Sequence, residues 1–268
     1  MRTRPKIAVI ALACLLSATC SGVLAEPGVN EELADEVTEI IVTATRLDQV
    51  ARSVPAAISV VSGDEIQQAR QQLALDEALA SVPGVFFLNR YNFAQDLRIA
   101  IRGFGARSNF GVRGIKILID GIPETLADGQ SQVDSIDLAS VRQVEVLRGP
   151  ASALYGNAAG GVISILSERG SADPYVDARV AMGDYGYRKY QVKTAGAVGR
   201  LDYLVSLSDL QVDGYREHSE AENTQLNSRF LYRFSDTSVI GWGLWGWVVA
   251  ISNDPGGLTR ADAAANPR

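Results

Sequence analysis

Ile117-Leu118-Ile119-Asp120-Gly121-Ile122-Pro123 stands at the centre of residues 98–165, the stretch that decides the fold. Arg102-Gly103-Phe104-Gly105 precedes it, and Val144-Glu145-Val146-Leu147-Arg148-Gly149-Pro150 follows it. The stretch closes with residues 154–165, Leu-Tyr-Gly-Asn-Ala-Ala-Gly-Gly-Val-Ile-Ser-Ile. Short apolar runs that end at glycines predict short strands joined by tight turns, because glycine accepts backbone angles that other residues avoid.

The residues ahead of this stretch predict helices as well as strands. Ser62-Gly63-Asp64-Glu65 has the form of a capping box and predicts a helix through about Ala69. Leu75 to Val82 predicts a second helix, which Pro83-Gly84 ends. Strands are expected at residues 57–61, 85–88, 97–101, 115–119, 144–147 and 162–166. Together these elements predict an α+β domain, a small mixed sheet with short helices.

After residue 171 the pattern changes to amphipathic strands, expected at residues 175–182, 187–197, 201–212, 226–234 and 239–251. In the fourth strand the aromatic side chains of Phe230 and Tyr232 fall on one face and those of Arg229 and Arg233 on the other. Such faces are typical of the lipid wall and the lumen wall of a transmembrane β-barrel. The connection over residues 213–223 is long and polar, and the two before it are short. A secreted β-sandwich also alternates, so the strands alone leave both architectures open.

The order and spacing of the motifs in residues 98–165 resemble the plug domain of TonB-dependent outer-membrane receptors, which import scarce nutrients into Gram-negative bacteria. The resemblance covers about residues 39–250. It implies a plug in residues 51–170 and the first antiparallel strands of a transmembrane β-barrel in residues 171–268. It also implies an outer-membrane location in contact with lipid, and uptake of a ferric siderophore or similar iron complex without any cofactor. The energy would come from TonB with its partners ExbB and ExbD.

Glu39-Ile40-Ile41-Val42-Thr43-Ala44-Thr45-Arg46 is a β-prone run just ahead of the plug-like region. Taken alone, it predicts an ordinary edge strand. In this position it resembles the TonB box, the extended segment that TonB captures by strand addition. The resemblance implies that TonB binds Ile40, Ile41, Val42, Thr43 and Ala44.

Arg102 and Arg148 match the plug arginines that, in this family, form a plug–barrel lock with glutamates on the inner wall of the barrel. A buried arginine–carboxylate pair is costly to break by removing one partner. The alternative is that both arginines only hold turns, beside Gly103 and beside Gly149-Pro150. The partner glutamates are expected in strands that this sequence does not contain.

The resemblance places ligand contacts on three outward loops of the plug, residues 89–96, 105–112 and 124–134. Each side chain there could equally be a solvated loop residue. The candidates for stacking, amide and cationic contacts to an anionic ferric chelate are Tyr91, Asn92, Phe93, Arg107 and Gln130.

The first residues predict a secretory signal peptide over residues 1–25, with a basic start, an apolar run from Ile7 to Leu16 and a cleavage site after Ala25. Both cysteines lie in this segment, so a cleaved chain has neither disulfides nor thiolates. Cleavage leaves 22 basic against 31 acidic residues, a net charge of −9 compared with −6 before it. An acidic chain without a basic cluster argues against nucleic acid as a partner. Residues 26–50 are expected to form a periplasmic lead segment that contains the TonB box at residues 39–46.

Enzyme chemistry finds no support in the sequence. The single histidine, His218, lies in a polar loop, and no nucleophile elbow or phosphate-binding loop is present. We therefore expect neither catalytic residues nor a metal site.

Residues 171–268 hold about five strands, fewer than the 8 of the smallest bacterial barrels, so we expect a fragment or a truncated product. A soluble plug-only periplasmic binding module and an inactive truncated product remain as alternatives.

Overall fold

The computed structural model describes residues 40–68, 70–108, 111–126 and 128–268. The predicted signal peptide, most of the lead segment and Glu39 lie outside these residues, as does Ala69, the expected end of the first helix. None of the helices within the described ranges combines the length and the apolarity needed to cross a bilayer.

A mixed five-stranded sheet forms the first layer of the described structure. Its strands lie in the order β3-β10-β11-β7-β8. All neighbours in this sheet are antiparallel except β11 and β7, which are parallel. Three two-stranded ribbons pair β1 with β2, β4 with β5 and β6 with β9. The strands are β1 Ile41–Val42, β2 Gln49–Val50, β3 Ala57–Ser62, β4 Val85–Leu88, β5 Arg98–Ile101, β6 Val112–Arg113, β7 Ile115–Ile119, β8 Ile122–Pro123, β9 Gln130–Ser131, β10 Val141–Arg148 and β11 Gly161–Ser167.

Ser62 is confirmed as the N-cap, because its hydroxyl accepts a hydrogen bond from the Glu65 N–H at 3.3 Å and opens α1, Gly63–Gln67, whereas the Glu65 carboxylate accepts from the Ser81 hydroxyl. The second helix, α2, spans Leu75–Leu79 and so ends three residues earlier than predicted. A proline disfavours helical angles in the residue before it, so Pro83 excludes Val82 from the helix. Two further helices are α3, Ser152–Tyr155, and α4, Arg260–Ala265, and short 3-10 turns lie at Ala51–Ser53 and Leu138–Ser140.

The core lies between the mixed sheet and the two short helices α1 and α2. Strands β7 and β11 run side by side at its centre, and their apolar side chains are almost completely removed from solvent. Apolar burial on this scale is the main driving force for folding. The largest fully buried apolar side chains are Ile66, Leu75, Leu79, Leu97, Ile99, Ile101, Ile115, Ile117, Ile163, Ile165 and Leu204.

A second sheet of five antiparallel strands follows in simple sequence order. Its strands are β12 Tyr175–Met182, β13 Arg188–Val198, β14 Leu201–Val212, β15 Ala221–Ser235 and β16 Ser238–Ser252. The prediction of antiparallel strands after the mixed-sheet domain is confirmed. Residues 183–187 and 213–220 connect the strands at one end of the sheet, whereas two-residue turns at 199–200 and 236–237 connect them at the opposite end. Long connections at one end and short turns at the other are typical of outer-membrane barrel strands.

The two faces of this second sheet differ as the sequence pattern predicts. On β15, Asn227 and Arg229 face the mixed-sheet domain, where Asn227 donates to the Ser140 hydroxyl at 2.7 Å. On the opposite face, the Phe230 ring stacks on Trp242 with ring centres 5.6 Å apart. The mixed-sheet domain therefore lies against the polar face of the second sheet, and the apolar face points away from it.

Candidate functional site

The segment Ile40–Ala44, predicted to bind TonB, lies folded against the mixed sheet. Ile41 and Val42 pair with Val50 and Gln49 in an antiparallel ribbon. Val42 and Ala44 are buried, whereas Ile40 and Ile41 are about half exposed. We call Ile40–Ala44 in this position the docked segment.

Glu145, in the middle of β10, holds the docked segment through its carboxylate. Its Oε2 accepts hydrogen bonds from two successive backbone N–H groups, those of Thr43 at 2.8 Å and Ala44 at 2.7 Å. Its Oε1 accepts from the side-chain amide of Gln143 at 2.8 Å. The Glu145 side chain is fully buried. Hydrogen bonds to an ionised carboxylate are about twice as strong as neutral ones.

The carbonyl groups of the docked segment are occupied as well. The Ile40 carbonyl accepts from the Ala51 N–H at 2.8 Å and the Ile41 carbonyl from the Gln143 amide at 3.2 Å. The Tyr155 hydroxyl donates to the Ala44 carbonyl at 3.0 Å. Burial raises the pKa of Tyr155, so its hydroxyl remains a donor. The segment therefore has few backbone groups left for a strand from another molecule.

Arg102 and Arg148 meet at one turn of the mixed-sheet domain. The Arg102 N–H donates to the Gly84 carbonyl at 2.9 Å, and the Arg148 guanidinium donates to the Pro83 carbonyl at 3.0 Å. Among the described residues, no carboxylate forms an ion pair with either arginine. These contacts agree with a role in the turn, and the role of both arginines in a plug–barrel lock stays a prediction.

Three of the predicted ligand-contact residues share the loop between β4 and β5. Tyr91 is exposed, the Asn92 amide donates to Asp254 at 2.9 Å, and the Phe93 carbonyl accepts from the Ser252 hydroxyl at 2.6 Å. Arg90 pairs with the buried carboxylate of Asp76 and so fixes this loop to α2. Burial raises the pKa of Asp76, and the nearby guanidinium opposes that rise.

The other two predicted ligand-contact residues lie outside that loop. Arg107 is exposed, and the Gln130 side chain accepts from Arg113 at 3.0 Å. Asp134, near the end of the same outward loop as Gln130, has a pKa raised to about 7 by burial and by the neighbouring Asp96. Within the described ranges no group of three or more acidic, histidine or cysteine side chains is arranged to hold a metal.

Cationic side chains of the second sheet hydrogen-bond to the mixed-sheet domain at and near the loop between α1 and α2, and the sequence did not predict these contacts. Arg179 donates to the Gln67 carbonyl at 2.6 Å and Lys189 to the Gln72 carbonyl at 2.7 Å. Buried Lys193 donates to Glu168 at 2.9 Å. The available signal was the alternation of lysines with apolar residues in β13, because a lysine on the buried face of a strand needs an acceptor.

Comparisons with known proteins agree with this architecture. Residues 50–162 match the family described as TonB-dependent Receptor Plug Domain. A relative from Vibrio vulnificus (strain YJ016), the vitamin B12 transporter BtuB, is 32% identical over 185 residues. That match covers 68% of this chain and 29% of the relative, so the chain spans less than a third of the length of this relative.

Two solved structures share the fold at lower sequence identity. The siderophore receptor PirA from Pseudomonas aeruginosa matches with a TM-score of 0.56 and 23% identity, covering 74% of this chain and 36% of that one. The pyoverdine outer-membrane receptor FpvA from Pseudomonas aeruginosa PAO1 matches with a TM-score of 0.62 and 16% identity, covering 76% and 29%.

Fold and site therefore define a plug joined to a wall of antiparallel strands. This chain carries the plug domain of the TonB-dependent receptors, followed by strands like the first ones of their barrels. The relatives named above are transporters and receptors, so the expectation that the chain is not an enzyme is confirmed. From here we call the mixed-sheet domain the plug and the second sheet the wall.

Proposed function

We propose that this chain belongs to an outer-membrane receptor that takes up a scarce nutrient with energy supplied by TonB. The observation that carries the proposal is the docked segment, a β-prone run placed just ahead of a plug that matches the family over residues 50–162. In this proposal TonB, with ExbB and ExbD, captures Ile40–Ala44 by strand addition and pulls on the plug.

The wall supports an outer-membrane location in the same proposal. Its plug-facing side is polar, with buried Lys189, Gln191 and Lys193, whereas Tyr190 and Val192 between them point away and stay exposed. An apolar outer face suits contact with lipid. A signal peptide at residues 1–25 is part of the proposal, since export must precede insertion.

A ferric siderophore or similar iron complex is the cargo that we propose first. The support is the fold shared with siderophore receptors and the exposed Arg107 on an outward loop of the plug. A corrinoid is the second candidate, because the 32% identical relative is a vitamin B12 transporter. Binding of a ferric siderophore and of vitamin B12 to the purified chain, each measured by quenching of tryptophan fluorescence, would separate the two.

Charge reversal at Arg107 tests the anionic cargo. In an intact homologue, Arg107→Glu at the matching position should reduce uptake of a ferric chelate about tenfold or more, because tenfold corresponds to about 1.4 kcal/mol and a close like charge near a protein surface costs up to about 4 kcal/mol. Arg142→Glu is the matched control, since Arg142 is exposed at the start of β10 and lies outside the outward loops. If Arg107→Glu binds the ferric chelate with unchanged affinity, the proposal of an anionic cargo is wrong.

Fractionation of the expressed chain tests the location. We expect it in the outer-membrane fraction, since its wall exposes apolar side chains on one face. A soluble, folded product would favour the plug-only periplasmic binding module. A product that is neither inserted nor folded would favour the inactive truncated chain.

A further inference from the structure

We propose that Glu145 is the positioning residue that keeps the Ile40–Ala44 segment docked, and that its hold sets how readily a partner captures this segment. The inference rests on the proposed function, in which that segment is the one TonB captures. It adds the group inside the plug with which a partner must compete.

Glu145 and Gln143 together hold the main chain of the docked segment, and we call these two side chains the clamp. Two successive N–H groups, of Thr43 and Ala44, converge on one carboxylate oxygen, while Gln143 donates to the other. Gln143 also donates to the Ile41 carbonyl and so links the clamp to the segment a second time. Among the described residues no lysine or arginine forms an ion pair with Glu145. The buried charge is therefore balanced by these hydrogen bonds, most of which the segment itself supplies.

The position of Glu145 in β10 differs from that of the residues that form the main core of the plug. Its neighbours Val144 and Val146 point to the opposite face of the strand and enter the main core. Glu145 shares its face with Leu147, which packs with Ala44, Tyr155 and further apolar side chains. An apolar side chain would suit this buried face equally well for stability, because a buried charge is expensive to desolvate. The carboxylate is needed only when Thr43 and Ala44 lie above it.

Strand addition would use the same groups that the clamp occupies. An added strand pairs with backbone N–H and C=O groups along one edge of its target. In the docked segment the N–H groups of Thr43 and Ala44 and the carbonyls of Ile40, Ile41 and Ala44 already have partners in the plug. A partner strand can therefore pair with the docked segment only when the hydrogen bonds to Glu145 break.

Amide hydrogen exchange on the full chain in detergent micelles tests the clamp directly. Glu145→Gln keeps the shape but removes the charge, and its amide would oppose the Gln143 amide, which is held by the Ile41 carbonyl. We expect exchange at Thr43 and Ala44 to rise about tenfold or more, the factor that corresponds to the loss of about one charge-assisted hydrogen bond. Exchange at Val162–Ile165 in β11 should stay unchanged, whereas a general loss of plug stability would raise it too.

Matched variants keep the test decisive. Glu124→Gln removes a carboxylate from the same plug that has no hydrogen bond to the segment, and it should leave exchange at Thr43 and Ala44 as it is. If Glu145→Gln does not fold, Thr43→Pro removes one of the two donors from the segment side without touching β10, and exchange at Ala44 should rise. Equal exchange at Ala44 in the wild type and in every folded variant that alters the clamp overturns the proposal.

Capture by the purified periplasmic domain of TonB separates this inference from the proposed function. We expect Glu145→Gln to be captured several-fold more than the wild type, and Glu124→Gln to match the wild type. Faster exchange without capture of any variant would support the clamp and contradict the TonB-box assignment. Capture that is equal in all variants despite faster exchange would overturn the claim that Glu145 controls access.

Discussion

Lys193 is the wall residue whose substitution should most clearly weaken the binding between the wall and the plug. It lies on the plug-facing side of β13 and is almost fully buried. Its ammonium group donates to both oxygens of Glu168 at 2.9 and 3.0 Å and to the Ala139 carbonyl at 2.9 Å. Lys193→Met keeps most of the volume of the side chain and removes the charge and all of these bonds.

The expected magnitude follows from what the substitution leaves behind. Removing one partner of a buried ion pair costs about 3–5 kcal/mol. Glu168 is 19% exposed and keeps hydrogen bonds from the Tyr175 hydroxyl and the Gln67 amide, which places the cost near the lower end of that range. We therefore expect Lys193→Met to lower the free energy of unfolding by about 3 kcal/mol.

Urea unfolding in micelles, followed by tryptophan fluorescence, is a suitable assay because all three tryptophans lie on β16 of the wall. Lys116→Met is the control for the loss of one lysine and should change the free energy by less than about 0.5 kcal/mol. The double variant Lys193→Met with Glu168→Gln should be more stable than the sum of the single changes predicts, by about 1.5 kcal/mol. A loss below about 1 kcal/mol in Lys193→Met, or strict additivity, would refute the reasoning.

Two further predictions concern the plug. Burial and the nearby Asp96 raise the pKa of Asp134 from 3.8 to about 7, so the folded chain keeps a proton that the unfolded chain has lost between these values. The free energy of unfolding should accordingly fall as the pH rises from about 4 to about 7 and level off above it. Asp134→Asn should flatten this decline in a pH series of urea titrations, and an unchanged decline would contradict the assignment. Gly161→Ala should destabilise by more than about 2 kcal/mol, because φ is +144° and a Cβ would lie 2.2 Å from the Leu147 carbonyl oxygen. Gly199→Ala, at φ +60° in the open turn between β13 and β14 of the wall, serves as the control and should cost about 1 kcal/mol in the same assay.

Local sequence signals predicted most of the regular elements because those elements are stabilised locally or alternate strictly. The strands Tyr175–Met182 and Leu201–Val212 have the bounds expected from their alternation. Strand β15 begins at Ala221, five residues before the predicted start. Its first three residues, Ala-Glu-Asn, have low strand propensity, and the whole run 221–225 is extended because it pairs with β14 from Val212 to Ser208. Tertiary pairing overrides local preference there.

The contacts that define the site depend on distant residues and could not be predicted from local patterns. A glutamate between valines in β10 indicates an exposed strand face, yet Glu145 is buried because a segment about 100 positions earlier in the chain covers it. The wall lysines have the same property. Lys189 binds the Gln72 carbonyl 117 positions away, and a backbone carbonyl carries no sequence signal.

The plug and its interface with the wall are held by different forces, and this difference fits the proposed function, in which TonB pulls on the plug as a unit. The plug core is apolar and continuous, so opening it exposes large apolar side chains such as Ile117 and Ile163 to water. The interface relies on cations that donate to carbonyls and to Glu168. Water can replace such bonds at a net cost of about 1–3 kcal/mol each, far below the cost of opening the core. Force applied to the chain should therefore separate the interface while the sheet of β7, β10 and β11 stays folded.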